Sequence, residues 1–241
     1  GGGVNTGAFK LTSSCGLIIL SATGTITING TITADGIVVG VAFFAGGGAG
    51  GGIKLTADII AGTPSSFTAD GGKSNGVNAS GGGGGCVFIG YTTSNTISPT
   101  STYFSVNGAG TGVTRGGGGM VLVKKTGDSG TLFVLNSDLA PAVTSPSSTV
   151  SAITADFIYV SSSVFQVTSS KIFTLVNSSP FLGNDKGEIR VYGSLVKSSG
   201  VFDDVRSTTL TLESSAIFSA SSTFTASSSL NLYKGFVGIA T

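Results

Sequence analysis

The chain has 241 residues, a formal net charge of +1 and only 10% charged residues, against about 25% in an ordinary globular domain. So little charge provides no field to steer the protein toward nucleic acid or an anionic membrane surface. There is no His, which removes the commonest general base and metal ligand and, with them, any His-dependent catalytic triad.

The chain opens on Gly1-Gly2-Gly3 without Met, as expected of a mature or partial product. The first strand-like stretches are Leu17–Leu20, Thr25-Ile26-Thr27-Ile28 and Thr31-Ile32-Thr33, with a turn at Asn29-Gly30. Their alternation of period 2 puts one face in and one out. This block ends at Asp35-Gly36. An apolar run follows, Gly36–Ala45, too short to span a bilayer; no signal-peptide pattern precedes it. Within it Ile37, Val38, Val39, Phe43 and Phe44 form either an extra strand tucked along the fold or an exposed patch for a neighbouring subunit.

The block then recurs. Gly50–Gly52 leads into Ile53-Lys54-Leu55, then Ile59-Ile60, a turn at Gly62, and Ser66–Ala69 ending in Asp70-Gly71. Gly81–Gly85 leads into Val87-Phe88-Ile89, and Gly116–Gly119 into Met120–Val123. A period of about 34 residues marks a repeat architecture. The block ends form a turn series, Asp35, Asp70, Asn107 and Asn136, residue types that bond their own backbone and tolerate tight corners.

Beyond residue 130 the Gly runs stop, and Ser pairs such as Ser162-Ser163 and Ser198-Ser199 punctuate short strands. Ile189, Leu210 and Leu230 fit a shorter period of about 21. The expected organisation is a Gly-rich segment, 1–137, a Pro-bearing loop, 138–150, and a Ser-rich segment, 151–241, continuous with the first.

Gly50–Ile59 with Phe67–Gly72, and the repeat at Gly81–Ile89, resemble the Gly-rich parallel β-helix segments of large extracellular surface, adhesin-like and fibrous proteins. The resemblance covers roughly residues 14–136. It implies an all-β, right-handed parallel β-helix (β-solenoid), with roughly 33–35 residues per coil in the first half and about 21 in the second. The general chirality of parallel crossovers agrees with that hand. In this fold Ile53, Leu55, Val87, Ile89, Val121 and Val123 belong to the core, and strands of successive repeats pair in parallel.

Pectin-lyase-like enzymes share the β-helix, so catalytic groups must be weighed. Asp203 and Asp204, with Arg206 nearby, are the best local cluster; adjacent strand residues point to opposite faces, so a solvated corner is the expected reading. Asp35 and Asp70 could stack one coil apart, where paired carboxylates repel unless a cation such as calcium sits between them. They are read as turn residues, with no metal and no cofactor expected. The Gly runs lack the Lys-Ser or Lys-Thr of a phosphate loop and precede strands, so they read as places where chain segments approach closely. Cys15 and Cys86 lie two coil steps apart, about 9.6 Å, beyond the about 7 Å reach of a disulfide, and are expected to be unpaired and buried. Of the sequons at Asn29, Asn78 and Asn177, Asn78 lies in the best loop for a glycan.

The expected role is an extracellular or cell-surface structural protein that polymerises with itself, with no nucleic acid and no membrane span. The alternative is an adhesin or carbohydrate-binding stalk, and a minor alternative is a polysaccharide-acting enzyme.

Overall fold

The computed structural model describes residues 16–38, 46–64, 66–73, 80–97, 103–110, 115–136, 142–146, 149–176, 182–183, 187–197, 202–203, 209–213, 216–220, 224–225, 230–232 and 236–239. By internal contacts the chain divides into two units. Unit 1 comprises Gly1–Gly127 with Leu135–Ala142; unit 2 comprises Asp128–Val134 with Val143–Thr241.

Unit 1 contains β1 (Leu17–Ser21), β2 (Thr25–Thr27), β3 (Thr31–Thr33), β4 (Gly52–Ala61), β5 (Ser66–Thr68), β6 (Cys86–Asn95), β7 (Phe104–Ser105) and β8 (Gly119–Lys125). One set runs β1-β4-β6-β8 with β2 also on β4; a second runs β3-β5-β7. These pairs are parallel. The register aligns Ile18, Ile53, Val87 and Val121 in one column and Leu20, Leu55, Ile89 and Val123 in the next. Ile53, Leu55, Val87, Ile89, Val121 and Val123 are all buried, as the alternation requires. Each such aliphatic side chain, fully buried, contributes about 1.5–3 kcal/mol. In the second set Ile32, Phe67 and Phe104 align, and the two rings stack with centroids 5.5 Å apart.

Between these strand sets run extended Gly-rich segments that bond differently from pleated strands. Gly50 N–H donates to Gly83 O at 2.9 Å and Gly84 N–H to Gly117 O at 2.9 Å, linking the Gly runs of successive repeats. Gly85 N–H donates instead to Ala69 O at 2.7 Å, and Gly82 O accepts from Ala109 N–H at 2.8 Å. One segment thus bonds to neighbours in more than two directions. The backbones are so close that a Cβ on Gly50 would lie 2.1 Å from Ala69 O. Only Gly fits such an approach.

Unit 2 contains most of β9 (Thr131–Leu135) and β10 (Ala142–Thr144), with β11 (Ala152–Ala155), β12 (Phe157–Ser161), β13 (Ser163–Val167), β14 (Ile172–Leu175), β15 (Leu182–Gly183) and β16 (Glu188–Val191). It continues with β17 (Ser194–Lys197), β18 (Phe202–Asp203), β19 (Thr209–Leu212), β20 (Ile217–Ala220), β21 (Phe224–Thr225), β22 (Leu230–Leu232) and β23 (Phe236–Ile239). Their orders are β9-β12-β15, β10-β13-β16-β19-β22, β11-β14-β17-β20-β23 and β18-β21. Ile189 pairs with Leu210 and Leu210 with Leu230, as their spacing predicts. Phe165 and Phe173 meet edge to face at 5.2 Å. Ser162, buried at the corner between β12 and β13, adopts φ 47°, uncommon for a residue other than Gly.

The expectation of one stacked right-handed β-solenoid is corrected. The strands fall into several separate sheets rather than a single coil stack. Two features account for the difference. The Gly-rich segments satisfy their N–H groups by backbone packing in several directions, so they interrupt the sheets instead of extending them. The pairing offset also changes, from 35 (Leu17 to Gly52) and 34 (Ile53 to Val87) in unit 1 to 20 (Ala152 to Ile172) and 22 (Ile172 to Ser194) in unit 2.

Candidate functional site: an open strand edge and its side-chain ladder

β3, β5 and β7 are short, and each is followed two residues later by a polar side chain: Asp35, Asp70 and Asn107. Period 2 puts the last hydroxyl of the strand and the Asp or Asn after it on the same side. Asp35 Oδ1 accepts Asp70 N–H at 2.8 Å, and its Oδ2 accepts the Thr68 hydroxyl at 3.2 Å. Asp70 accepts Asn107 N–H at 2.6 Å and the Ser105 hydroxyl at 2.8 and 2.7 Å. Asn107 Nδ2 donates back to Ser105 Oγ at 2.8 Å. Donors therefore lie between the carboxylates and offset the repulsion expected of bare stacked acids. Asn136 differs from the others. It is buried, its Oδ1 accepts Gly108 N–H at 3.1 Å, and its Nδ2 has no partner among the described residues.

The sequence shows Thr33-Ala34-Asp35-Gly36 recurring as Thr68-Ala69-Asp70-Gly71, but neither Thr68 nor Ser105 is read from it as a partner of the carboxylates, although a signal is there. Thr33-Ala34-Asp35, Thr68-Ala69-Asp70 and Ser105-Val106-Asn107 share a hydroxyl two residues before the Asp or Asn. In the first repeat the corresponding donors, the Thr33 hydroxyl and Asp35 N–H, have no partner among the described residues. Ala34 and Gly36 donate their N–H groups to Thr68 O and Asp70 O. Strand alternation then turns Asp35 N–H the other way, toward the open edge.

β1, β2 and β3 each pair on one side only among the described residues. The consequence is plain in the core columns: Leu20 is 40% exposed, whereas its register mates Leu55 and Ile89 are 0%. Leu17 and Ile19 are 65% and 56% exposed. In the apolar run that follows, Ile37 and Val38 are exposed, at 51% and 60%; Val39, Phe43 and Phe44 lie outside the described residues.

Among the described residues the other sequence candidates form no reactive cluster. Asp203 lies in β18 opposite Thr225, while Asp204 and Arg206 lie outside the described residues. No group of three His, Cys, Asp or Glu that could hold a metal occurs among the described residues. Cys86 carries a free thiol and is exposed, not buried as expected, because it falls on the outer face of β6. Neighbouring atoms still desolvate the sulfur and raise its pKa above the ordinary value, partly offset by a backbone bond at Met120. Cys15, Asn78 and Asn177 lie outside the described residues; Asn29 is a turn residue whose Oδ1 accepts Thr63 N–H at 3.2 Å.

Among the described residues of unit 1, two open clefts can be measured. One, of about 240 Å³, is lined by Asp70, Lys73, Asn107 and Gly108 among others; the other, of about 110 Å³, by Thr56, Phe88, Tyr91 and Lys124 among others. Both fall below the roughly 300 Å³ at which small-molecule sites begin. In unit 2, Arg190 bonds Glu188 at 2.9 and 3.1 Å. That bond raises the guanidinium pKa further above its ordinary value. The pair is partly exposed and contributes little to stability.

No family model, curated protein or solved structure matches the chain.

Proposed function

We propose that this chain is an extracellular or cell-surface structural protein that assembles with further copies of itself into a filament or surface layer, through the open edge β1–β3. The observation that carries the reading is Leu20, which occupies a core column yet is 40% exposed at the edge where its mates are fully buried. Unpaired edge strands are templates for another chain, and natural proteins block unwanted pairing with charge or Pro. Residues 16–38 contain one charged residue, Asp35, and no Pro. Low overall charge likewise removes repulsion between copies.

The test compares wild type with Leu20→Asp by light scattering and electron microscopy. Wild type should form filaments or sheets as concentration rises, and the variant should raise the concentration required at least tenfold: covering the 40% of Leu20 still exposed is worth about 1 kcal/mol, and burying an unpaired carboxylate in its place costs more. A wild-type protein that stays monomeric at high concentration would overturn the reading, as would a variant that assembles unchanged.

A further inference from the structure

We infer that the open edge selects its partner strand by a side-chain acceptor: it takes a parallel strand from a partner subunit that ends in Asp or Asn. The inference rests on the assembly reading and adds the chemistry of the docked strand. Within unit 1 the same recognition unit is occupied twice. An N–H and a hydroxyl two residues apart are caught by one carboxylate of the preceding repeat: Asp70 N–H and Thr68 by Asp35, Asn107 N–H and Ser105 by Asp70. The third copy, Asp35 N–H with the Thr33 hydroxyl, is unoccupied among the described residues and lies at the edge of the β3-β5-β7 set.

The direction of the ladder sets the demand on the partner. Each repeat offers donors to the repeat before it and acceptors to the one after, so the edge beside β3 presents donors. A Lys or Arg there would leave these donors unsatisfied, and an Ala would leave them with water alone. An Asp or Asn in ladder register supplies the missing oxygen, as Asp35 does for Asp70. The parallel pairing of β3 with β5 and of β5 with β7 sets the strand direction. The aliphatic partner of Ile32 belongs to the same strand, in the column that Phe67 and Phe104 continue.

The probe is a synthetic peptide reproducing residues 29–36, which ends in the Thr-Ala-Asp-Gly pattern. It is titrated into the full-length ¹⁵N-labelled chain at a concentration below assembly. Shifts and slowed exchange are expected at the amides of Thr33 and Asp35. The peptide with Asn in place of its Asp should bind comparably, and the peptide with Ala at least about fivefold more weakly, the scale of one or two hydrogen bonds. In the chain, Thr33→Val should reduce the preference for Asp over Ala while leaving the affinity for the Ala peptide unchanged. Equal binding of all three peptides, shifts confined to other surfaces, or no shifts at all would overturn the inference. If wild type assembles but shows no acid preference, the inference fails and the assembly reading stands; if wild type stays monomeric yet binds the Asp peptide selectively, the reverse holds.

Discussion

Asp70 concentrates the polar side-chain chemistry of unit 1. Its carboxylate takes the Ser105 hydroxyl and Asn107 N–H, while its own N–H is held by Asp35. Asp70→Ala strands two donors in a part-buried place and should lower stability by about 2–3 kcal/mol, whereas Asp70→Asn retains an acceptor and should cost about 1 kcal/mol. Chemical denaturation of both variants checks this; equal losses would mean that the acceptor does not matter. Cys86 offers a pH test. Desolvation raises its thiol pKa, so at pH 8 it holds less thiolate than an unstructured cysteine. Iodoacetamide should therefore modify it several-fold more slowly than a short Cys peptide at pH 8, with the gap narrowing as pH rises. Equal rates across the range would show an unperturbed thiol.

At the scale of elements, the Gly-rich segments are the least familiar part of the molecule. They are neither helix nor pleated strand, yet they carry ordered bonds such as Gly50 to Gly83 and Gly84 to Gly117. At most of their positions backbone atoms approach so closely that a side chain has nowhere to go, Gly83 being an exception. Gly50→Ala puts a Cβ 2.1 Å from Ala69 O, and a backbone atom cannot swing aside as a side chain can. The expected loss exceeds about 2 kcal/mol, in the range of overpacked cores. Gly24→Ala is the matched control, because nothing lies within 4 Å of its Cβ position, and a surface change of that kind stays within about 0.5 kcal/mol. Thermal melts of the two variants decide; similar midpoints would show that the Gly segments yield easily.

At the scale of the whole molecule, five of the large aliphatic side chains exposed among the described residues, Leu17, Ile19, Leu20, Ile37 and Val38, belong to the first repeat and the residues just after it; Val143, Val150, Ile172 and Ile217 are scattered through unit 2. With a net charge of +1, association through this edge should depend little on salt, in contrast to a contact built on ion pairs. The Leu20→Asp comparison is therefore best made at two ionic strengths: wild type should assemble alike in both, and a strong salt dependence would point to a charged contact elsewhere.

The sequence by itself determined the strands, their repeat and much of the core. Period-2 alternation and the 34-residue recurrence are local patterns, so they placed Ile53, Val87 and Val121 in one buried column and Ile189, Leu210 and Leu230 in one register. The recurrence of Asp35, Asp70 and Asn107 was legible for the same reason, but in sequence they read as turn residues bonding their own backbone, whereas the Asp35 and Asp70 carboxylates accept from the next repeat. Which oxygen meets Thr68 or Ser105 depends on neighbours 33 and 35 residues away. Only the tertiary structure decided that the strands divide into several sheets, that the Gly runs bond in several directions, and that Leu20 is left uncovered. Those outcomes depend on where backbone N–H groups find acceptors across the fold, and an aliphatic residue reads alike whether the next strand is present or missing.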